Sequence, residues 1–423
     1  MAITTVPQGV IRVDVDFYDD GERDALLQYP SASSIQEIVG SSPIEIPTAE
    51  FLAYYLFHRK RLGSPRYRDY RSIGRNLHQA ITDLDGCVDL GDSIHTARKV
   101  TRQLKNISEH IGEGIGLSIS SRIHGLTEAD WAAIEEFAGR SAPPTFDFEL
   151  ASNGEDFVQV ENKGSSVEDN RIQNNAVKAQ KRRIAKKKAK LQKLAETRDD
   201  PYPASIRYGT ITVVDRRRQG NVKCWLTDPP ADQVTTEPRR FRLVQRMRFL
   251  RDWIAFVSET SQLAVAISTR LADIEALEDP FELDGVRLRR GSNAKFLFGR
   301  MRTRGNHSTF FWTKSRVLDD RSGGVVLQLS NSEMFFAGIR EDFITLSAKQ
   351  DFENILTYRA NTGSLEKTVE CVFSESRYES LSLPGSVHER ARRSANYFSF
   401  DLDGVLHYSP AGLVFGVLRL PAK

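Results

Sequence analysis

A chain of 423 residues, 40% apolar and 27% charged, is long enough for two or three packed domains and too apolar to be disordered. A net charge of +3 and a pI near 8.6 lie too close to neutrality to imply a nucleic-acid or membrane-surface partner by themselves, so any electrostatic argument must be local. Cys87, Cys224 and Cys371 are scattered and odd in number, which argues against a disulfide framework and a CxxC zinc site. The chain also lacks a basic-then-apolar leader and any run of eighteen apolar residues, so a soluble protein of a reducing, cytoplasmic compartment is expected.

Residues 1 to about 40 read as one or two short strands, because "GVIRVDVDFY" alternates Ile11, Val13, Val15 and Phe17 with polar side chains. From Thr48 to about Ala97 the spacing turns helical. Basic residues and tyrosines concentrate there between Arg59 and Arg75, with Tyr67 and Tyr70 able to stack on bases if exposed. This region, 1–100, is expected as a mixed, mainly helical N-terminal domain. Helical spacing resumes in "VTRQLKNISEHIGEGIGLSISSRIHGL". Thr127, with Asp130 three residues on, predicts a second helix from Glu128 to about Phe137. Two strands follow "GRSAPP", then a long helix from about Val167 to Glu196, a Pro-containing break, and the strand "SIRYGTITVVD". Alternation of strands with a helical crossover predicts an α/β unit over residues 101–235. Residues 236–423 read as a C-terminal domain: one long or two short amphipathic helices, then mostly strands and loops from about residue 285.

Chemistry concentrates in "PPTFDFELASNGEDFVQVENKGSS". On a strand, side chains at i and i+2 share a face, so Phe157, Gln159, Glu161 and Lys163 line one side, and Asp147 and Glu149 share a face of the preceding strand. Fourteen residues separate Asp147 from Glu161, a spacing that suits a hairpin turning at Asn153-Gly154. Such pairing gathers carboxylates around an ammonium group. Crowded carboxylates need a cation among them, Mg²⁺ prefers such oxygen ligands, and a lysine beside it can position a water or stabilise charge on a phosphate.

Asp147 and Glu161-Asn162-Lys163, on consecutive strands followed by a helix, resemble the D…(D/E)xK signature of the PD-(D/E)XK nuclease superfamily, with its restriction-endonuclease-like fold. The resemblance covers about residues 101–215. It implies an α-β-β-β-α-β core in which Asp147 and Glu161 bind Mg²⁺ (or Mn²⁺) and Lys163 acts on the attacking water. It also implies a further glutamate from the preceding helix, matched to Glu113 with Glu109 as the alternative, and a glutamine from the following helix, matched to Gln180 with Gln173 as its rival. Here Thr145-Phe146 precede Asp147 where a proline is commoner next to the acid, and Glu149 is the alternative ligand. One core strand is either short or hidden in "SISSRIHG". The function implied is a metal-dependent endonuclease hydrolysing phosphodiester bonds of DNA, with RNA the second candidate, as in effectors of bacterial anti-phage defence or restriction. Its assembly would be a homo-oligomer or a complex with a partner protein of such a system. The competing reading is a nucleic-acid-binding or assembly protein with a silent site.

The helix supports an anionic partner on separate grounds. "VKAQKRRIAKKKAKLQK" carries nine Lys or Arg and no acid, so Lys181, Arg182, Arg183, Lys186 and Lys187 are candidate phosphate-backbone contacts, extended by Arg216 to Arg218. Other motifs fall away. "FSFDLDGVLHY" looks like the opening of a haloacid-dehalogenase-type phosphatase, but only about twenty residues follow Asp403, so a strand ending in an Asp-Gly turn is expected. The eight histidines form no HExxH, and GxxxxGK[ST] and GxSxG are both absent.

Overall fold

The computed structural model describes residues 9–58, 70–96, 104–133, 149–195, 204–216, 220–227, 237–257, 261–286, 288, 311–314, 321–374, 378–379, 391–394 and 397–420. In chain order the elements begin with β1 (Val10–Phe17), α1 (Asp20–Leu26), α2 (Ala32–Gly40), β2 (Ile44–Pro47), α3 (Thr48–Phe57), α4 (Tyr70–Cys87), β3 (Val88–Leu90) and β4 (Ile94–Thr96). Next come α5 (Leu104–His124), β5 (Trp131–Ala133), β6 (Glu149–Ser152), β7 (Phe157–Val167), α6 (Asn175–Ala195), β8 (Ile206–Asp215) and β9 (Val222–Thr227). The rest are α7 (Pro238–Val257), α8 (Gln262–Ala276), β10 (Phe311–Lys314), β11 (Arg321–Gln328), β12 (Glu333–Arg340), α9 (Glu341–Lys349), α10 (Phe352–Thr357), β13 (Gly363–Ser374), β14 (Arg392–Ser394), β15 (Tyr397–Tyr408) and β16 (Leu413–Arg419). The protein is a mixed α/β molecule.

A seven-stranded mixed sheet runs β2-β1-β9-β8-β7-β6-β5, with β7 parallel to β8 and β1 parallel to β9. Strands from both sides of the residue-100 boundary therefore share one sheet. Its two faces are covered differently. On one, α6 lays the stripe Val177, Ile184 and Leu191 against Val167, Ile211, Val213 and Trp225, as the seven-residue spacing predicts. On the other, α5 comes so close to β7 that a Cβ on Gly164 would lie 1.7 Å from the Ser108 carbonyl oxygen, and one on Gly112 would lie 2.5 Å from Gly164 Cα. The "GEGIG" run is thus a helix-to-sheet contact, and only glycine fits this crossing.

The C-terminal strands form a second sheet, β13-β10-β11-β12-β16-β15, which β13 closes by pairing with β15 as well as with β10; β14 hangs on β15. Val326, Met334, Phe336, Cys371, Phe373, Phe400, Leu402 and Leu418 fill the inside, as a small barrel requires. Phe335, Ile339, Phe415 and Val417 belong instead to the main core that includes α3, α7 and the first sheet.

Four local expectations need correction. The first forty residues hold one strand and two short helices, the first capped by Asp19, whose side chain accepts from Glu22 N at 2.9 Å. Thr127 to Asp130 make a capping-like turn, with Thr127 N and Oγ1 donating to Asp130 Oδ2 at 2.8 and 3.1 Å, but the chain continues into the strand β5. Buried Trp131 donates its indole N–H to Ser121 Oγ at 3.0 Å and draws the chain to the sheet edge as the three-residue strand β5, while "SISSRIHG" is helical up to His124. The crossover helix starts at Asn175, not Val167: β7 stays paired with β8 through Val167, and Asn174 accepts from Ala176 N and Val177 N at 2.9 and 3.2 Å. Finally, Asp403-Gly404 lies inside β15, paired with Thr368 and Lys367, and the chain reverses after Tyr408 instead.

Where the barrel meets α3 and α5, two carboxyl groups are buried. Glu128 Oε2 accepts from Ala411 N at 2.9 Å, and Arg122 Nη2 approaches Glu50 Oε2 to 3.7 Å. Burial, helped by the nearby Glu50 charge, pushes the Glu128 carboxyl up to about 8. In the unfolded chain this group loses its proton near pH 4.5, while in the folded protein it keeps it to about pH 8. The folded state therefore binds more protons throughout that window, and this group's contribution to stability falls as pH rises from about 4.5 to about 8. Glu128→Gln is expected to flatten that decline and to be more stable than the parent at pH 8.5 by a few kcal/mol (~2–4). Urea unfolding at pH 5 and 8.5 measures it, and equal slopes in parent and variant would contradict the assignment.

Candidate active site

β7 and α6 build the site between them. The hairpin feeding β7 turns at Asn153-Gly154 as expected, with the Asn153 side chain accepting from Glu155 N and Asp156 N at 2.9 and 2.7 Å. Its register sets Leu150 opposite Gln159 and Glu149 opposite Val160. In the parallel pair, Glu161 lies opposite Gly209 and Lys163 opposite Ile211. Glu161 and Lys163 thus share the face covered by α6, in the middle of the sheet.

The Glu161 side chain is fully buried. Lys163, two residues along the same strand, places Nζ 2.6 Å from Glu161 Oε1. A second ammonium comes from the helix: Lys187 Nζ lies 2.9 Å from Oε1 and 3.2 Å from Oε2. One carboxylate in a solvent-poor layer is thus bound by two lysines from opposite layers. Burying a carboxylate without such partners would cost several kcal/mol (~3–5), so this cluster is held by its own charges.

Other expected residues are placed differently. Gln180 meets β7 at Ser165, its Nε2 donating to Ser165 Oγ at 3.3 Å, while its Oε1 is buried without a hydrogen-bond partner among the described residues. Lys187 is seven residues further along α6, about 10 Å by helical rise, so the α6 residue that reaches Glu161 is Lys187 and not Gln180. Gln173 lies before the helix and donates from Nε2 to the Tyr18 carbonyl oxygen. Glu113 is on α5, across the sheet from α6, where His110 Nδ1 lies 3.3 Å from its Oε2; Glu109 is half-buried on the same helix. Asp147 lies outside the described residues.

The candidate phosphate contacts divide. Arg182, Arg183 and Lys186 are exposed along α6, as is Lys190 further along the helix. Lys181 is engaged by Glu22 at 2.7 Å and Asp19 at 3.3 Å and lies 4.7 Å above the Tyr18 ring. Arg216 donates from Nε to Ser166 Oγ at 3.2 Å. Arg217 and Arg218 fall outside the described residues, as does the basic segment from Arg59 to Arg68, and Tyr70 opens α4.

The chain was compared with protein-family models, with curated proteins and with solved structures. No match was found. Its chemistry must therefore be argued from the cluster itself. Among the described residues no three His, Cys, Asp or Glu side chains converge as a metal cage, and no helix is long and apolar enough to cross a membrane. The three cysteines are buried and form no disulfide, and burial pushes the Cys224 thiol up to about 12, so it is no nucleophile near neutrality. Glu161 suits a hard cation such as Mg²⁺, which takes one or two carboxylates and keeps its waters. The signal that sequence reading passed over is the position of Lys187. It is three residues after Ile184 and four before Leu191, at the border of the buried stripe, where a lysine must find an acid or turn outward.

Proposed function

We propose that the protein is a Mg²⁺-dependent nuclease of restriction-endonuclease-like fold that hydrolyses phosphodiester bonds of DNA. The observation that carries this reading is the buried Glu161 bearing Lys163 from its own strand. It occurs at the centre of a sheet whose elements follow in the order α5, β5, β6, β7, α6, β8, the order that the resemblance implies. Glu161, with Asp147 as second ligand, would hold the ion, which supplies a water acidified by its charge. This chain's residues supply the rest. Lys163 orients that water and lowers the cost of its deprotonation, and the exposed arginines and lysines of α6 hold the polyanion through counterion release.

The test is cleavage of supercoiled plasmid, single-stranded DNA and RNA by the purified protein with and without chelator, beside Lys163→Ala. Cleavage in Mg²⁺ is expected to fall by about 10²–10⁴ in the variant and to vanish with chelator. Absence of cleavage by the parent on all three substrates, with DNA binding intact, would transfer the reading to a binding protein with a silent site.

A further inference from the structure

We propose that Lys187 is the residue that holds the substrate phosphate at this site, giving up its resting partner Glu161 for a phosphodiester oxygen; this rests on the nuclease reading above. The two lysines on Glu161 are built differently. Lys163 stands on β7 itself, its backbone paired to Ile211 in the middle of the sheet and its side chain 17% exposed. Lys187 comes from the opposite layer on a four-carbon stem, is 30% exposed, and spans both carboxylate oxygens. It can leave without stranding a charge, because Glu161 keeps the 2.6 Å contact to Lys163. Lysine suits such an exchange: its ammonium is a compact point charge that any phosphate oxygen can accept.

The direction in which it would move is set by the helix. Arg183 and Lys190, four residues before and three after Lys187, share its face and are exposed, so they continue outward the row that Lys187 begins at the buried acid. A phosphate backbone lying along α6 meets Arg183 and Lys190 on the surface and Lys187 at the depth of Glu161. Lys187 thus joins the surface that attracts the polymer to the group that hydrolyses it. Lys163 is left to the water, and the two ammonium groups do different work.

A mutant cycle tests this without requiring cleavage. Affinity for a fluorescein-labelled 30-base-pair duplex is measured in EDTA for the parent, Lys187→Met, Glu161→Gln and the double variant, with thermal midpoints confirming folding. Lys187→Met is expected to weaken binding about fivefold to tenfold and to reduce the slope of log K against log salt by about 1, with Lys187→Arg restoring affinity. Glu161→Gln, by removing the charge that competes with a phosphate for Lys187, is expected to tighten binding, and the double variant to lose that gain. In Mg²⁺, Lys187→Met raises KM for plasmid by a similar factor and leaves kcat within about threefold, while Lys163→Met lowers kcat. Unchanged affinity in folded Lys187→Met, or a gain from Glu161→Gln that persists in the double variant, would overturn the assignment. If the parent does not cut DNA, the nuclease reading fails while the binding cycle still decides the role of Lys187.

Discussion

In the proposed nuclease, Glu161→Gln is expected to lower Mg²⁺-dependent cleavage by about 10³-fold or more while costing only about 1–2 kcal/mol of stability. The two effects differ because of where the partners sit. The Glu161 side chain is fully buried, but the side chains of the two lysines bound to it are 17% and 30% exposed, so both can turn toward water once the charge is gone. An amide of the same shape keeps the packing between β7 and α6. What it removes is the charge of the carboxylate that Lys163 and Lys187 share. Isothermal titration of Mn²⁺ into parent and variant separates the causes: loss of cleavage with loss of cation binding supports Glu161 as a ligand. Cleavage within threefold of the parent would remove Glu161 from the site altogether.

The parts of this fold that repeat along the chain were legible in the sequence. The alternation from Phe157 to Lys163 and the Asn153-Gly154 turn locate the hairpin because strand periodicity and turn chemistry are local properties. Val177, Ile184 and Leu191 locate the buried stripe of α6 for the same reason. What sequence reading missed depends on partners distant in the chain. Thr127 and Asp130 make the same hydrogen bonds in a turn as at a helix start, and only the contacts of Trp131 and Asp130 with other elements decide that a strand follows. Asp403-Gly404 reads as a turn until β13 and β16 are found on either side of it. Lys187 stands among the five candidate phosphate contacts, but its contact with Glu161 is not legible there, since composition cannot say which member of a charged run faces an acid. The candidate site therefore divides in the same way: Glu161 and Lys163 come from one local pattern, and Lys187 from the packing of two layers.

Asp130→Ala is expected to cost about 3–5 kcal/mol, a large share of the 5–15 kcal/mol that ordinarily holds a domain together. Asp130 is completely buried, and burial alone would raise its pKa, but the Arg246 and Arg242 guanidinium groups override it and hold the carboxyl at about 2. Arg246, itself buried, donates to both carboxylate oxygens, Nε to Oδ1 at 2.5 Å and Nη2 to Oδ2 at 2.8 Å. Its Nη1 reaches the carbonyl oxygens of Ile355 and Tyr358 at 2.7 and 2.9 Å. Arg242 donates to Asp130 Oδ1 at 2.9 Å and to the Asn153 carbonyl oxygen at 2.6 Å. One carboxylate thus ties the turn before β5, the tip of the β6–β7 hairpin, α7 and the end of α10 into a single junction. Removing it leaves Arg246 buried without its anion, and that uncompensated charge, more than the lost contacts, sets the size of the effect. Arg246→Met in the Asp130→Leu background should recover much of the loss, because a packed apolar pair needs no solvation. The pH dependence has its own sign: the folded carboxyl stays ionised down to about pH 2, whereas the unfolded one protonates near 3.8, so this contribution is complete above that range and disappears as pH falls through it. Denaturant unfolding of the single and double variants at neutral pH, and of the parent from pH 5 to 2, measures each arm. A cost under 1 kcal/mol for Asp130→Ala would mean that the junction is relieved by water, and the placement of β5 at the sheet edge beside β6 would then need another cause.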